Sequence, residues 1–115
     1  MKLRLRRSSL RLRLTQTEVA SVGAGERVEE VVLFGAKSSE RLVYAIESAG
    51  HGLLLQAAFL GSEVRVTVPR AMAVEWANGA GVSLEARQPV GNGGMLTLLV
   101  EKDFACLKPR SDEDE

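Results

Sequence analysis

Val64-Arg65-Val66-Thr67-Val68-Pro69-Arg70-Ala71-Met72-Ala73-Val74-Glu75-Trp76-Ala77-Asn78-Gly79 reads as a strand, a helix opened by proline, and a glycine stop. Apolar residues alternate at Val64, Val66 and Val68, the period of a half-buried strand. Pro69 suits the first helical turn, where its missing N–H would have no partner anyway. Gly79 suits the left-handed position that closes many helices. The helix is predicted over 70–78, with Met72 and Trp76 four apart as core anchors.

Working back from this stretch, an earlier one has the same form. Leu10, Leu12 and Leu14 alternate with Arg11 and Arg13, and Thr15-Gln16-Thr17-Glu18 has the spacing of a capping box. A short helix through Val19, Ala20 and Val22 is expected to end near Gly23 to Gly25, because glycines are poor helix interior. Before it, Leu3 and Leu5 alternate with Lys2, Arg4 and Arg6, and Arg7-Ser8-Ser9 reads as the turn of a hairpin. Strands are predicted over 28–34, 41–48, 54–59, 81–86 and 95–101. Gly35 to Glu40 reads as a polar turn, Ala49 to Gly52 as a flexible connection, and Gln88 to Gly94 as a loop.

Both halves therefore read β-β-α-β-β, and they align without a gap at an offset of 54 positions. Arg11 falls on Arg65, Gly25 on Gly79, Val28 on Val82, Leu42 on Leu96 and Glu47 on Glu101. Glu30 falls on Leu84 and Val31 on Glu85, so the inward phase of the third strand is expected to slip by one residue. The fold class is mostly β, a β-rich α+β chain, built as one domain over 1–107 from pseudo-repeats 1–50 and 53–107. Residues 108–115 are expected to be an acidic, disordered tail.

The chain has 115 residues, 45% hydrophobic and 26% charged, an ordinary composition for one globular domain. Formal net charge is zero, yet residues 2–13 carry cations only, and Ser111-Asp112-Glu113-Asp114-Glu115 closes the chain. The single cysteine, Cys106, excludes an intrachain disulfide and fits a reducing cytoplasm. No apolar run is long enough to span a bilayer, so no membrane partner is expected.

Val66-Thr67-Val68-Pro69 and Gly79-Ala80-Gly81-Val82 resemble the signature of the AbrB and MazE swapped-hairpin domain, with Thr15 standing for the proline in the first half. The resemblance implies two copies interlocked as one swapped-hairpin-like β-barrel, here within one chain. That makes a monomer the expected state and a homodimer the alternative. The whole chain before its acidic tail also resembles a family of short, uncharacterised bacterial proteins. The marks are Ser9-Leu10-Arg11-Leu12-Arg13-Leu14-Thr15, Tyr44-Ala45-Ile46, Glu75-Trp76-Ala77 and Glu101-Lys102-Asp103-Phe104-Ala105-Cys106-Leu107.

The AbrB/MazE resemblance implies DNA contacts from arginines near the first hairpin, here Arg4, Arg6, Arg7, Arg11 and Arg13. Clustered guanidinium groups on a ribbon suit phosphates and guanine edges. The competing reading is a solvated strand face whose side-chain stems cover the core edge. The expected function is a small cytoplasmic, non-catalytic binding module with an unknown protein partner or none. A DNA-binding regulator or antitoxin is the alternative. Cys106 and His51 form no recognisable catalytic or metal-ligand spacing, and Gly91-Asn92-Gly93-Gly94 lacks the Lys-Ser/Thr of a phosphate loop. No catalytic, cofactor or metal residue is assigned. The acidic tail could also fold onto the basic hairpin and screen it.

Overall fold

Alternating strands and two short helices organise the computed structural model, which describes residues 1–103. The readings of the acidic tail and of Cys106 lie outside the described residues. The chain order is β1 (Lys2–Arg6), β2 (Ser9–Leu14), α1 (Gln16–Gly23), β3 (Val28–Leu33), β4 (Arg41–Ser48), β5 (Gln56–Leu60), β6 (Glu63–Val68), α2 (Arg70–Asn78), β7 (Ser83–Gly91) and β8 (Gly94–Lys102), with a 3-10 turn at Ser38–Glu40. Thr15 caps α1 as its spacing predicts. Glu18 N–H donates to Thr15 Oγ1 at 3.2 Å, and Thr15 N–H donates to Glu18 Oε1 at 2.9 Å.

The strands form two four-stranded sheets, β1-β2-β8-β7 and β3-β4-β6-β5. Each sheet takes a hairpin from each half of the chain, and the hairpins join through parallel pairs, β2 with β8 and β4 with β6. Leu10 pairs with Leu98 and Val64 with Tyr44, positions related by the offset of 54 read from the sequence. The third strands depart from it. Val28 pairs with Ile46 and Leu84 with Val100, so these strands correspond at an offset of 56. The expected one-residue phase slip does not occur. Glu30 lies opposite Tyr44 and faces inward like Leu84, and the Met1 amino group meets its carboxylate there at 3.2 Å.

The expected single barrel does not close. At one seam the Gln88 side chain replaces a ladder: its Oε1 accepts from Ala57 N–H at 2.8 Å and its Nε2 donates to Ala57 C=O at 2.9 Å. At the other, the Met1 ammonium joins β1 to Glu30 of β3, and Tyr44 O–H donates to Met1 C=O at 3.3 Å. Side chains bridge both seams, where no backbone ladder joins the two sheets.

Leu12, Leu14, Val22, Ile46, Val66, Val68, Leu98 and Val100 fill the space between the sheets, all under 2% exposed. Helices α1 and α2 pack together, and Trp76 joins the same core. The hairpin turns gather at one end, where Leu5 of β1 and Phe59 of β5 line one cleft. Among the described residues no helix is long and apolar enough to cross a membrane.

Two local readings change. Gly79 is extended, at φ −102° and ψ −178°, not left-handed. Glycine is needed there because a Cβ would lie 2.8 Å from Glu75 C=O. The residues read as a loop over 88–94 are mostly strand. Asn92 and Gly93 alone make the turn, at φ 52° and 76°, the pair of positive angles a tight hairpin requires. Pro89 is tolerated because β7 is an edge strand with a bulge between Pro89 and Gly91.

The Met1 amino group also bonds Glu18 Oε2 at 2.8 Å. Burial alone would lower its pKa, but the hydrogen bonds and charges of Glu18 and Glu30 outweigh this and raise it above the usual 8.0. A raised folded-state pKa means stability that is fully present below pH 8 and lost as pH rises through the raised value. Acetylating this amino group is expected to cost about 1 kcal/mol at neutral pH, allowing for partial exposure of Glu30. Urea titrations of both forms should converge in strongly alkaline buffer. An equal gap at every pH would refute the linkage.

Candidate nucleic-acid interface

Alternation along β1 and β2 decides where the first hairpin's charges go. Leu3 pairs with Leu12 and Leu5 with Leu10, on the face turned to the core. Lys2 therefore lies beside Arg13, Arg4 beside Arg11, and Arg6 beside Ser9, all on the opposite face. Arg7 sits in the turn with φ 50°. The fold thus brings Arg4, Arg6, Arg11 and Arg13 to one surface, adds Lys2, and leaves Arg7 at its tip. Lys2 is legible in the same alternation, although the arginine candidates omit it.

Like charges directly opposite one another destabilise a strand pair. Lys2–Arg13 and Arg4–Arg11 are both such pairs. Partial relief comes from Glu101 on β8, whose Oε2 lies 3.4 Å from Arg11 Nε and 3.2 Å from Arg13 Nη2. Arg4, Arg6 and Arg7 form no ion pair with any described carboxylate. Alternate residues on a strand stand about 6.8 Å apart and neighbouring strands about 4.8 Å, so these cations form a flat lattice.

The second hairpin carries no such lattice. Its opposed pairs on the outer face are Gln56–Thr67, Ala58–Arg65 and Leu60–Glu63. The outer face of the second sheet is neutralised instead by a cluster around Arg27. Its guanidinium lies 2.8 Å from Glu29, 3.0 Å from Glu47 and 2.9 Å from Glu63. Hydrogen bonds donated by Arg27 to Glu63, Glu29 and Glu47 push the Arg27 pKa up, and the same bond to Glu63 pulls the Glu63 pKa down. These partners come from three strands, β3, β4 and β6, so sequence spacing carried no signal for the cluster. The contribution of Glu63 is present at neutral pH and is lost as pH falls through its depressed value.

His51 is exposed in the connection before β5, and Cys106, the thiol weighed with it in the sequence, lies outside the described residues. Among the described residues, no group of three or more His, Cys, Asp or Glu side chains is placed to hold a metal ion. Compared with known proteins, residues 1–115 match one family model, described as a family of unknown function (DUF7009). No curated protein and no solved structure matches.

Proposed function

Because the chain belongs to this DUF7009 family of unknown function, its own surface must supply the reading, and we propose that it is a non-catalytic, cytoplasmic module that binds nucleic acid as a monomer. The binding surface is the outer face of the β1–β2 hairpin, with Arg4, Arg6, Arg7, Arg11 and Arg13 as its contacts and Lys2 beside them. One observation carries this reading: two like-charged cross-strand pairs are held together at a cost to stability, while Arg4, Arg6 and Arg7 have no described carboxylate partner. A merely solvated face would gain from alternating signs, as the Arg27 cluster does on the other sheet.

The zero net charge does not oppose this. The acids concentrate elsewhere, on the second sheet and in the terminal Asp-Glu-Asp-Glu. We also read the two halves as copies of one β-β-α-β-β unit, related to the AbrB/MazE swapped hairpin. The shared offset of 54 across both parallel pairs supports the duplication. In this reading only the first copy kept its basic hairpin, so the protein has one footprint, not a symmetric pair.

A labelled random-sequence duplex, titrated at several salt concentrations, tests the proposal. About four phosphate contacts predict that log K falls with log salt at a slope near −4, because each neutralised phosphate releases counterions. Changing Arg4, Arg6 and Arg7 to Ser is expected to reduce the slope by about 3 and abolish binding at moderate salt. No binding at low salt, or binding with the same slope in the triple variant, would overturn the reading.

A further inference from the structure

The sheets cover one another at the helix end and part at the hairpin end. On the inward faces of β1 and β5, Leu3 and Ala57 pack against the core, but the next inward residues do not. Leu5 is 60% exposed and Phe59 66%. They are corresponding positions of the two halves, and with Leu42 and Leu96 they line an open cleft of about 520 Å³ between the sheets. Apolar surface gathered in this way marks an interaction site.

Charge decides among the possible occupants. Arg7 in the turn, and the end of β1 at the outward-facing Arg6, border the cleft, and neither arginine has a described carboxylate partner. A second copy seated by the same face would add its own Arg6 and Arg7 to one apolar contact, raising its positive charge with no acid to offset it. An acidic partner gains from the same two side chains.

The backbone gives this partner a shape. β5 is an edge strand, and Ala57 turns both its N–H and its C=O to the free edge, where Gln88 takes them. The Gln88 amide thus occupies the place of a neighbouring strand. Phe59, two residues on, has the same phase and borders the cleft. A strand docking beside Phe59 would continue the pairing that Gln88 begins. We propose that the cleft docks an extended acidic segment of a partner protein, which adds to the edge of β5, inserts apolar side chains between Leu5 and Phe59, and sets carboxylates against Arg6 and Arg7. Main-chain bonds would supply affinity and the cleft would select alternate side chains.

The test uses a fluorescein-labelled seven-residue peptide of alternating glutamate and valine, followed by anisotropy on the full chain. Its controls alternate lysine with valine, and glutamate with serine. The glutamate–valine peptide is expected to bind at least about tenfold more tightly than either control. Phe59→Asp and Arg7→Glu should each weaken it by about tenfold or more, while Arg70→Ser, at the helix end, leaves it unchanged. Phe59 is mostly exposed, so Phe59→Asp should keep the wild-type melting temperature. It should also keep duplex binding, so this proposal and the nucleic-acid reading fail separately. Equal binding of the lysine peptide, or undiminished binding by Phe59→Asp, would overturn the proposal. So would light scattering that shows a dimer which Phe59→Asp dissociates, since a second copy would then fill the cleft.

Discussion

Trp76→Ala is expected to remove about 3–5 kcal/mol of stability, a large share of what a domain of this size possesses. Trp76 is 3% exposed and anchors α2 to the core shared by both sheets. It also works as a polar tie. Its Nε1–H donates to Val82 C=O at 3.0 Å, just before β7 begins. Lys102 lies over the ring with its Nζ 5.9 Å from the centroid, and the same ammonium donates to Gly79 C=O at 3.0 Å. One side chain thus fixes the end of α2, the approach to β7 and the end of β8. Trp76→Phe keeps most of the burial and loses the hydrogen bond, so it should cost less, at about 1–2 kcal/mol. Denaturation followed by circular dichroism is the suitable measurement, because Trp76 is the chain's one tryptophan and its fluorescence disappears with it. A loss below about 1 kcal/mol for Trp76→Ala would mean that the helix is not held through this ring.

Gly23→Ala is expected to destabilise the protein by about 1–3 kcal/mol although alanine favours helices, since overpacking a tight contact costs this much. A Cβ on Gly23 would run into the Cβ of Ala77 and lie 3.7 Å from Ala73 C=O. The two helices meet closely at this point, and one methyl must push them apart. Ala77→Gly makes room at the cost of helix propensity, about 1 kcal/mol. In combination the two changes should cost less than their sum, because each relieves the other. A double-mutant cycle by urea titration gives the coupling directly. Strict additivity would show that the helices separate without resistance and that Gly23 is only a stop.

Gly23 shows how far a sequence can be read. Two glycines within three residues marked the end of α1 correctly, and Gly25 does take the left-handed conformation, with φ 90°. The close approach that requires Gly23 depends on Ala77, more than fifty positions away, and no local pattern encodes it. Gly79 carries the same lesson in the other direction. A glycine in helix-stop position is needed for space beside Glu75 C=O, not for a positive φ. The turn at Asn92-Gly93 was legible, since asparagine–glycine is the usual composition of a two-residue hairpin, but the flanking Gly91 and Gly94 and Pro89 made the loop read longer than it is.

Features that depend on a local period can be read along the chain, because neighbouring residues set them. The alternation of Leu3, Leu5, Leu10, Leu12 and Leu14 sets which face of the first hairpin is apolar, and hence that its arginines share the other. Thr15 and Glu18 establish where α1 starts, and Pro69 where α2 does. The parallel pairs set Leu10 beside Leu98 and Tyr44 beside Val64, registers that share the spacing of 54 read along the chain. Contacts between residues distant in the chain were settled only by folding. Whether eight strands close into a barrel depends on two seams, and there the Gln88 and Glu30 side chains and the Met1 amino group make the contacts in place of ladders. Partial neutralisation of the basic face depends on Glu101, brought beside Arg11 and Arg13 by the parallel pairing of β2 with β8. The cleft at the hairpin end exists because two inward rows outrun the core they share, and that is a property of how the sheets diverge, not of either strand's sequence.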